Sequence, residues 1–220
     1  MLLILIMIMI LSYFLLNNNY EQFISDTNTQ NNIYLENDEI YHKYGNVEYS
    51  RLDLKTKKVK HWYAKEAVNK ILNNKKNKKV LILGVALGGI IINLLNENKK
   101  MKITAVDIED THFDFVRKYS DNNRLKLIKK DANNYVMNMN KKYDAIIVDI
   151  FIGDDIPNFV TDNNDFLNKL EKNLNSGGIF MINSIKIDKN ILENKLKVIF
   201  NTATTNVINK NSNYLGIALK

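Results

Sequence analysis

The chain has 220 residues, 45% of them hydrophobic and 25% charged, which is enough to bury the core of one α/β domain with a small appendage and too apolar for a disordered linker. It contains no Cys and 3 His, which excludes a disulfide framework, a thiolate metal site and a cysteine nucleophile and argues against any metal centre. The net charge of +7 rests on lysine, since Arg51, Arg117 and Arg124 are the only arginines. Arginine forms the forked contacts to phosphates and base edges, so the charge argues against nucleic acid as a partner.

Residues 1–16 form an apolar run with no charged side chain, interrupted by Ser12 and Tyr13 and stopped at Asn17. This length lies between the roughly 20 residues that span a bilayer and the roughly 7 to 15 of a signal peptide's apolar region. No small-residue cleavage pattern follows. The expectation is a single-pass N-terminal membrane anchor, or secretion if the segment is cleaved. Residues 17–32, rich in Asn, Thr, Gln and Ser, read as a polar linker. Short strands are expected at 33–36, 46–53 and 57–62, with a tight turn at Thr56 and Lys57, forming a small β appendage over 33–62. A helix over 63–72 opens a larger domain reaching residue 220.

From Val80 the pattern alternates. Apolar runs at 80–83, 102–106, 125–128, 145–148 and 179–182 have the composition of strands covered on both faces of a parallel sheet. Helical periodicity appears between and after them at 89–96, 112–119, 132–139, 165–174 and 191–200. This order predicts a doubly wound, mostly parallel sheet of Rossmann-like type. Strands at 202–208 and 214–219, joined by the turn 209–212, must be antiparallel, because a parallel return needs about a dozen residues of crossover.

Chemistry concentrates where the strands end. The first core strand runs into Gly84-Val85-Ala86-Leu87-Gly88-Gly89, a glycine-bearing turn before a helix that lets a ligand approach the backbone. The turn fits Gly-x-Gly-x-Gly with Ala86 in the middle position, or Gly-x-Gly-x-x-Gly read through Gly89. Asp107 ends the second strand, where an acid meets the ribose hydroxyls of an adenosine in open α/β sheets, or where it simply terminates a strand. Asp131 and Ala132 follow the third strand, and Asp131 suits an adenine amino group or a helix N-cap. Asp149 ends the fourth strand, where it could steer a cationic substrate, take a proton or contact a cofactor.

Together these segments resemble the spermidine synthase-like branch of class I S-adenosylmethionine-dependent methyltransferases. The resemblance covers residues 79–183 and rests on the glycine turn, Asp107, Asp131-Ala132, the stretch from Asp149 to Pro157, Asp165-Phe166-Leu167 and Leu174-Asn175-Ser176-Gly177-Gly178-Ile179. It implies that S-adenosylmethionine or its decarboxylated form is bound by Gly84, Ala86, Gly88, Asp107, Asp131, Ala132 and Asp149, with Asp149 also the catalytic base. Two departures stand out. Ile152 occupies the place of the second acid in the branch's Asp-Ser-Ser-Asp-Pro-like gate, and Ala86 replaces a glycine. Because the amine-clamping acid is absent, the expectation is a methyltransferase acting on an acceptor these motifs do not specify. The alternatives are an aminopropyltransferase acting on a diamine and a non-catalytic, membrane-tethered binding module. Oligomeric state is left open, and a nicotinamide-dependent oxidoreductase is disfavoured by the terminal hairpin.

Overall fold

The computed structural model describes residues 33–44, 47–74, 76, 78–152, 155–161, 164–185, 187–200, 206–210 and 213–220. Two sheets organise them. The first is antiparallel, in the order β1 (Ile33–Glu36), β2 (Glu39–Tyr44), β3 (Val47–Asp53) and β4 (Lys58–Val59). Asn37 and Asp38 turn β1 into β2 with φ of 50° and 64°, the left-handed pair that a two-residue hairpin requires. Strand β2 is a finding beyond the sequence reading. Its composition is mostly polar, yet Ile40 pairs opposite Leu52 and both are buried. The expected strand at 57–62 shortens to two residues because α1 (Trp62–Asn73) already begins at Trp62.

The second sheet holds β5 (Lys79–Leu83), β6 (Lys102–Asp107), β7 (Leu125–Lys129), β8 (Tyr143–Val148), β9 (Leu174–Ile185), β10 (Asn206–Lys210) and β11 (Asn213–Leu219). Their order is β10-β11-β9-β8-β5-β6-β7. Strands β9, β8, β5, β6 and β7 run parallel, whereas β11 pairs antiparallel with both β9 and β10. This is the α/β, Rossmann-like methyltransferase-type fold with a mixed sheet. The intervening helices are α2 (Gly89–Glu97), α3 (Phe113–Tyr119), α4 (Ala132–Asn138), α5 (Asn158–Thr161), α6 (Asp165–Asn173) and α7 (Lys189–Phe200).

Alternate residues of the central strands feed two cores. Val80, Ile82, Ala145 and Ile147 face one side with α1 and α2, and Leu52 and Val59 of the small sheet join the same cluster. Leu81, Leu83, Ile146 and Val148 face the other side, against Phe166 and Leu170 of α6 and Leu196 of α7. Strands buried on both faces read as continuous apolar runs. The chain leaves β5 toward β6 and β7 on one side and later places β8 and β9 on the other, so a topological switch opens a crevice at the carboxyl ends of β5 and β8.

The N-terminal helix and the linker expected over residues 1–32 lie outside the described residues, as do Gly153 and Asp154. No helix among the described residues is long and apolar enough to cross a membrane. The longest of them, α1 and α7, have 12 residues each, about 18 Å at about 1.5 Å per residue, against about 30 Å of hydrocarbon.

Candidate active site

The turn after β5 is built on tight backbone contact. Gly84 adopts φ +92°, and a Cβ there would lie 1.9 Å from the Asp149 carbonyl oxygen, so glycine is needed where the ends of β5 and β8 meet. Ala86 sits at φ 44°, a left-handed conformation that costs a residue with a Cβ about 1–2 kcal/mol. Gly88 caps α2 with φ 67°, and a Cβ on it would reach within 2.5 Å of a Val116 methyl.

Above these strand ends lies a cavity of about 360 Å³, lined by Gly84, Ala86, Asp107, Asp131, Ala132 and Asp149 together. Its size falls in the range of small-molecule pockets, about 300–1,000 Å³. Of the residues singled out in the sequence, Gly88 is not in this wall; it borders a smaller adjoining cavity of about 30 Å³. One side of the large cavity is apolar, formed by Ile150, Phe151, Ile152, Pro157 and Phe159. Ile152 is 72% exposed, and its backbone pairs with Asp155 in an isolated antiparallel bridge.

Each carboxylate is held differently. Asp107 accepts the Val85 N–H on Oδ2 at 2.7 Å and the Glu109 N–H on Oδ1 at 3.1 Å, fixing the turn to the end of β6 while each oxygen keeps capacity for a second bond. Asp131 is the N-cap of α4, its Oδ1 accepting from the Asn134 N–H at 2.8 Å. Asp149 accepts from Asn183 Nδ2 at 2.8 Å and from the Tyr63 hydroxyl at 3.4 Å. Burial pushes the Asp149 carboxyl up to about 6; the Asn183 and Tyr63 bonds pull it back, and the nearby Asp107 charge adds to the rise. Burial, reinforced by Asp149, drives the Tyr63 hydroxyl well above its ordinary value, so Tyr63 remains a donor.

Tyr63 and Asn183 escaped the sequence reading as site residues. Tyr63 lies 86 positions from Asp149 and Asn183 lies 34 away. The one available signal was a polar Asn closing the apolar run of β9. Three aromatic residues were also missed: His42 and Tyr49 from the small sheet and His112 before α3 line the same cavity. Chemically, the arrangement offers carboxylates to hydroxyls and positive charge, glycine-turn backbone to a close ligand, and a buried carboxylate able to hold a proton near neutral pH.

The fold is of the class I methyltransferase-like type, with a cavity at the carboxyl ends of its parallel strands. A model of the Spermine/spermidine synthase domain matches residues 62–215, and the chain belongs to that family. It is 30% identical over 115 residues to polyamine aminopropyltransferase 2 of Hyperthermus butylicus, covering 48% of this chain and 36% of the relative. It is 31% identical over 121 residues to a polyamine aminopropyltransferase of Pectobacterium atrosepticum, covering 50% and 41%. The matched part is thus less than half the length of these curated relatives. Among solved structures, a probable spermidine synthase from Corynebacterium glutamicum superposes with a TM-score of 0.74 at 14% identity, over 86% of this chain and 76% of that one. Human methyltransferase-like protein 13 in complex with SAH gives 0.55 at 20% identity, over 70% and 76%. At such identities these two likenesses show the fold alone.

The expectation of a methyltransferase is therefore corrected: the family model and the relatives named polyamine aminopropyltransferase favour the aminopropyl alternative. The same relatives give no support to a membrane or secreted placement or to a membrane-tethered module. Ile152 is an exposed residue of the cavity lining, and Asp149 keeps its Asn183 and Tyr63 partners beside it.

Proposed function

We propose that this chain transfers an aminopropyl group from decarboxylated S-adenosylmethionine to an amine acceptor, with Asp149 receiving the proton. The observation that carries this reading is Asp149 itself, held by Asn183 and Tyr63 at the cavity floor in a chain of the spermine/spermidine synthase domain family. The donor fits the residues present. Gly84 leaves room for close approach at the β5 turn, Asp107 suits the two ribose hydroxyls, Asp131 and Ala132 suit the adenine edge, and the acidic lining suits a cation. When bound, the donor supplies an alkyl carbon activated by a neighbouring sulfonium.

The protein's share of the chemistry is orientation and proton removal. An acceptor ammonium must lose a proton before its nitrogen can attack. Asp149, with its pKa raised to about 6 by burial, is ionised at neutral pH and close enough to the ordinary range of a base to accept that proton. Tyr63 and Asn183 keep the carboxylate aimed without neutralising it. As the C–N bond forms, the C–S bond breaks and methylthioadenosine leaves.

The test is incubation with decarboxylated S-adenosylmethionine and 1,4-diaminobutane, with the product identified by mass spectrometry. The expected result is the aminopropylated amine together with methylthioadenosine. Binding of the donor without transfer to any amine tried would overturn the reading.

A further inference from the structure

The apolar side of the cavity comes from one stretch of chain. Ile150, Phe151, Ile152, Pro157 and Phe159 all belong to the segment that follows Asp149, and no described residue of the lining between positions 150 and 159 carries a charge. The other acids of the lining stand elsewhere: Asp107, Glu109 and Asp131 lie at or after the ends of β6 and β7, on the side assigned to the donor. Ile152 is the least covered apolar residue of the wall, at 72% exposure. Its main chain is engaged, the N–H donating to the Asp155 carbonyl at 2.8 Å and the carbonyl accepting from the Asp155 N–H at 3.3 Å. What Ile152 offers a ligand is therefore a branched hydrocarbon, at most about 11 Å of chain from Asp149.

We infer that Ile152, with Ile150 and Phe151 in the same wall, selects an acceptor that has one amino group and an apolar tail, the nitrogen at Asp149 and the tail on Ile152. This names the acceptor class of the aminopropyltransferase reading and rests on it. The two possible far ends of an acceptor fare differently here. A hydrocarbon tail laid on Ile152 removes apolar surface of both partners from water. An ammonium in the same place leaves water for a wall whose described side chains carry no charge, and burying a charge without a partner is costly. The chemistry at the near end is the same for both. The acceptor ammonium gives a proton to Asp149, its nitrogen bonds to the donor's alkyl carbon as the C–S bond breaks, and a secondary ammonium leaves with methylthioadenosine.

The test compares n-pentylamine with 1,4-diaminobutane, which are alike in length and differ in whether the far end is a methyl or an ammonium group. With decarboxylated S-adenosylmethionine as donor and the full chain as enzyme, kcat/KM should be at least about 10-fold higher for pentylamine, the low end of what an apolar pocket discriminates. The diamine remains a substrate, a slower one. Ile152→Asp should lower the pentylamine-to-diamine ratio by at least about 10-fold, and Ile152→Leu should keep it. Both changes fall at an exposed position away from the core, where substitutions rarely disturb folding. Methylthioadenosine affinity, measured by calorimetry, should be the same in all three chains. The inference is overturned by a wild-type kcat/KM for the diamine that equals or exceeds that for pentylamine, or by a ratio that ignores Ile152→Asp. It is also overturned if Ile152→Asp weakens methylthioadenosine and leaves the ratio alone, which would assign the wall to the donor. Transfer to neither amine by a wild-type chain that binds the donor would instead remove the aminopropyltransferase reading beneath it.

Discussion

Strand β8 carries an aspartate near each end, and the two live in opposite circumstances. Asp144, at the amino end, accepts the backbone N–H groups of Lys78 and Lys79 at 3.0 and 2.9 Å and the Asn175 amide at 2.7 Å. Burial pushes its carboxyl up, but these three donors, led by Asn175, outweigh it and hold the group below the ordinary carboxylate range. Asp149, just past the carboxyl end, has two donors, a neighbouring acid and more burial, and is raised to about 6. The first aspartate ties strands together. The second is kept poorly satisfied where the sheet opens on a cavity, which is how a group suited to proton transfer differs from one that only stabilises.

The contrast can be broken most severely at Asp149. Asp149→Asn should lower kcat about 10²- to 10⁴-fold, the usual contribution of a general base, while the amide still accepts from Asn183. Stability should move the other way. Between about pH 4 and pH 6 the folded chain retains a proton on Asp149 that the unfolded chain has released, so this residue lowers stability as pH rises through that window. At pH 7 the Asn variant should therefore gain about 1–3 kcal/mol, and near pH 4 the gain should vanish. Thermal melts at the two pH values check this, and a lower melting temperature at pH 7 would show that the hydrogen bonds outweigh burial.

A smaller effect is expected at the other end of the strand. Asp144→Ala removes the acceptor from two backbone donors and an amide, and should cost about 1–3 kcal/mol with kcat unchanged. Urea unfolding beside a transfer assay separates the two readouts, and a fall in kcat at full folding would erase the proposed division of labour. Smallest is Ala86→Gly. Relief of the φ 44° conformation is partly offset by the freer unfolded chain, leaving a gain of up to about 1 kcal/mol by the same unfolding measurement.

Much of the architecture was legible because parallel strands buried on both faces leave continuous apolar runs; Lys79–Leu83 and Tyr143–Val148 lie where Val80 and Ala145 announced them. Strand β2 was not, since Glu39–Tyr44 is mostly polar and is held by pairing with β1 and β3. Strand β9 extends from Leu174 to Ile185, well beyond its apolar centre, because Ser176, Gly177 and Gly178 accommodate an irregular register beside β8 and Gly177 takes φ +74°. At the site, the acids at strand ends could be read from position alone, and six of the seven named residues share the cavity wall. Gly88 faces Val116 instead. The partners Tyr63, Asn183, His42 and His112 come from distant elements and carry no motif, so only folding brings them together.

The pH dependence of kcat/KM for aminopropyl transfer bears most directly on Asp149 as the base. The account predicts an acid limb with an inflection near pH 6 that disappears, along with nearly all the rate, in Asp149→Asn. A wild-type profile flat from pH 5 to pH 7, or a variant that keeps both the limb and the rate, would contradict it.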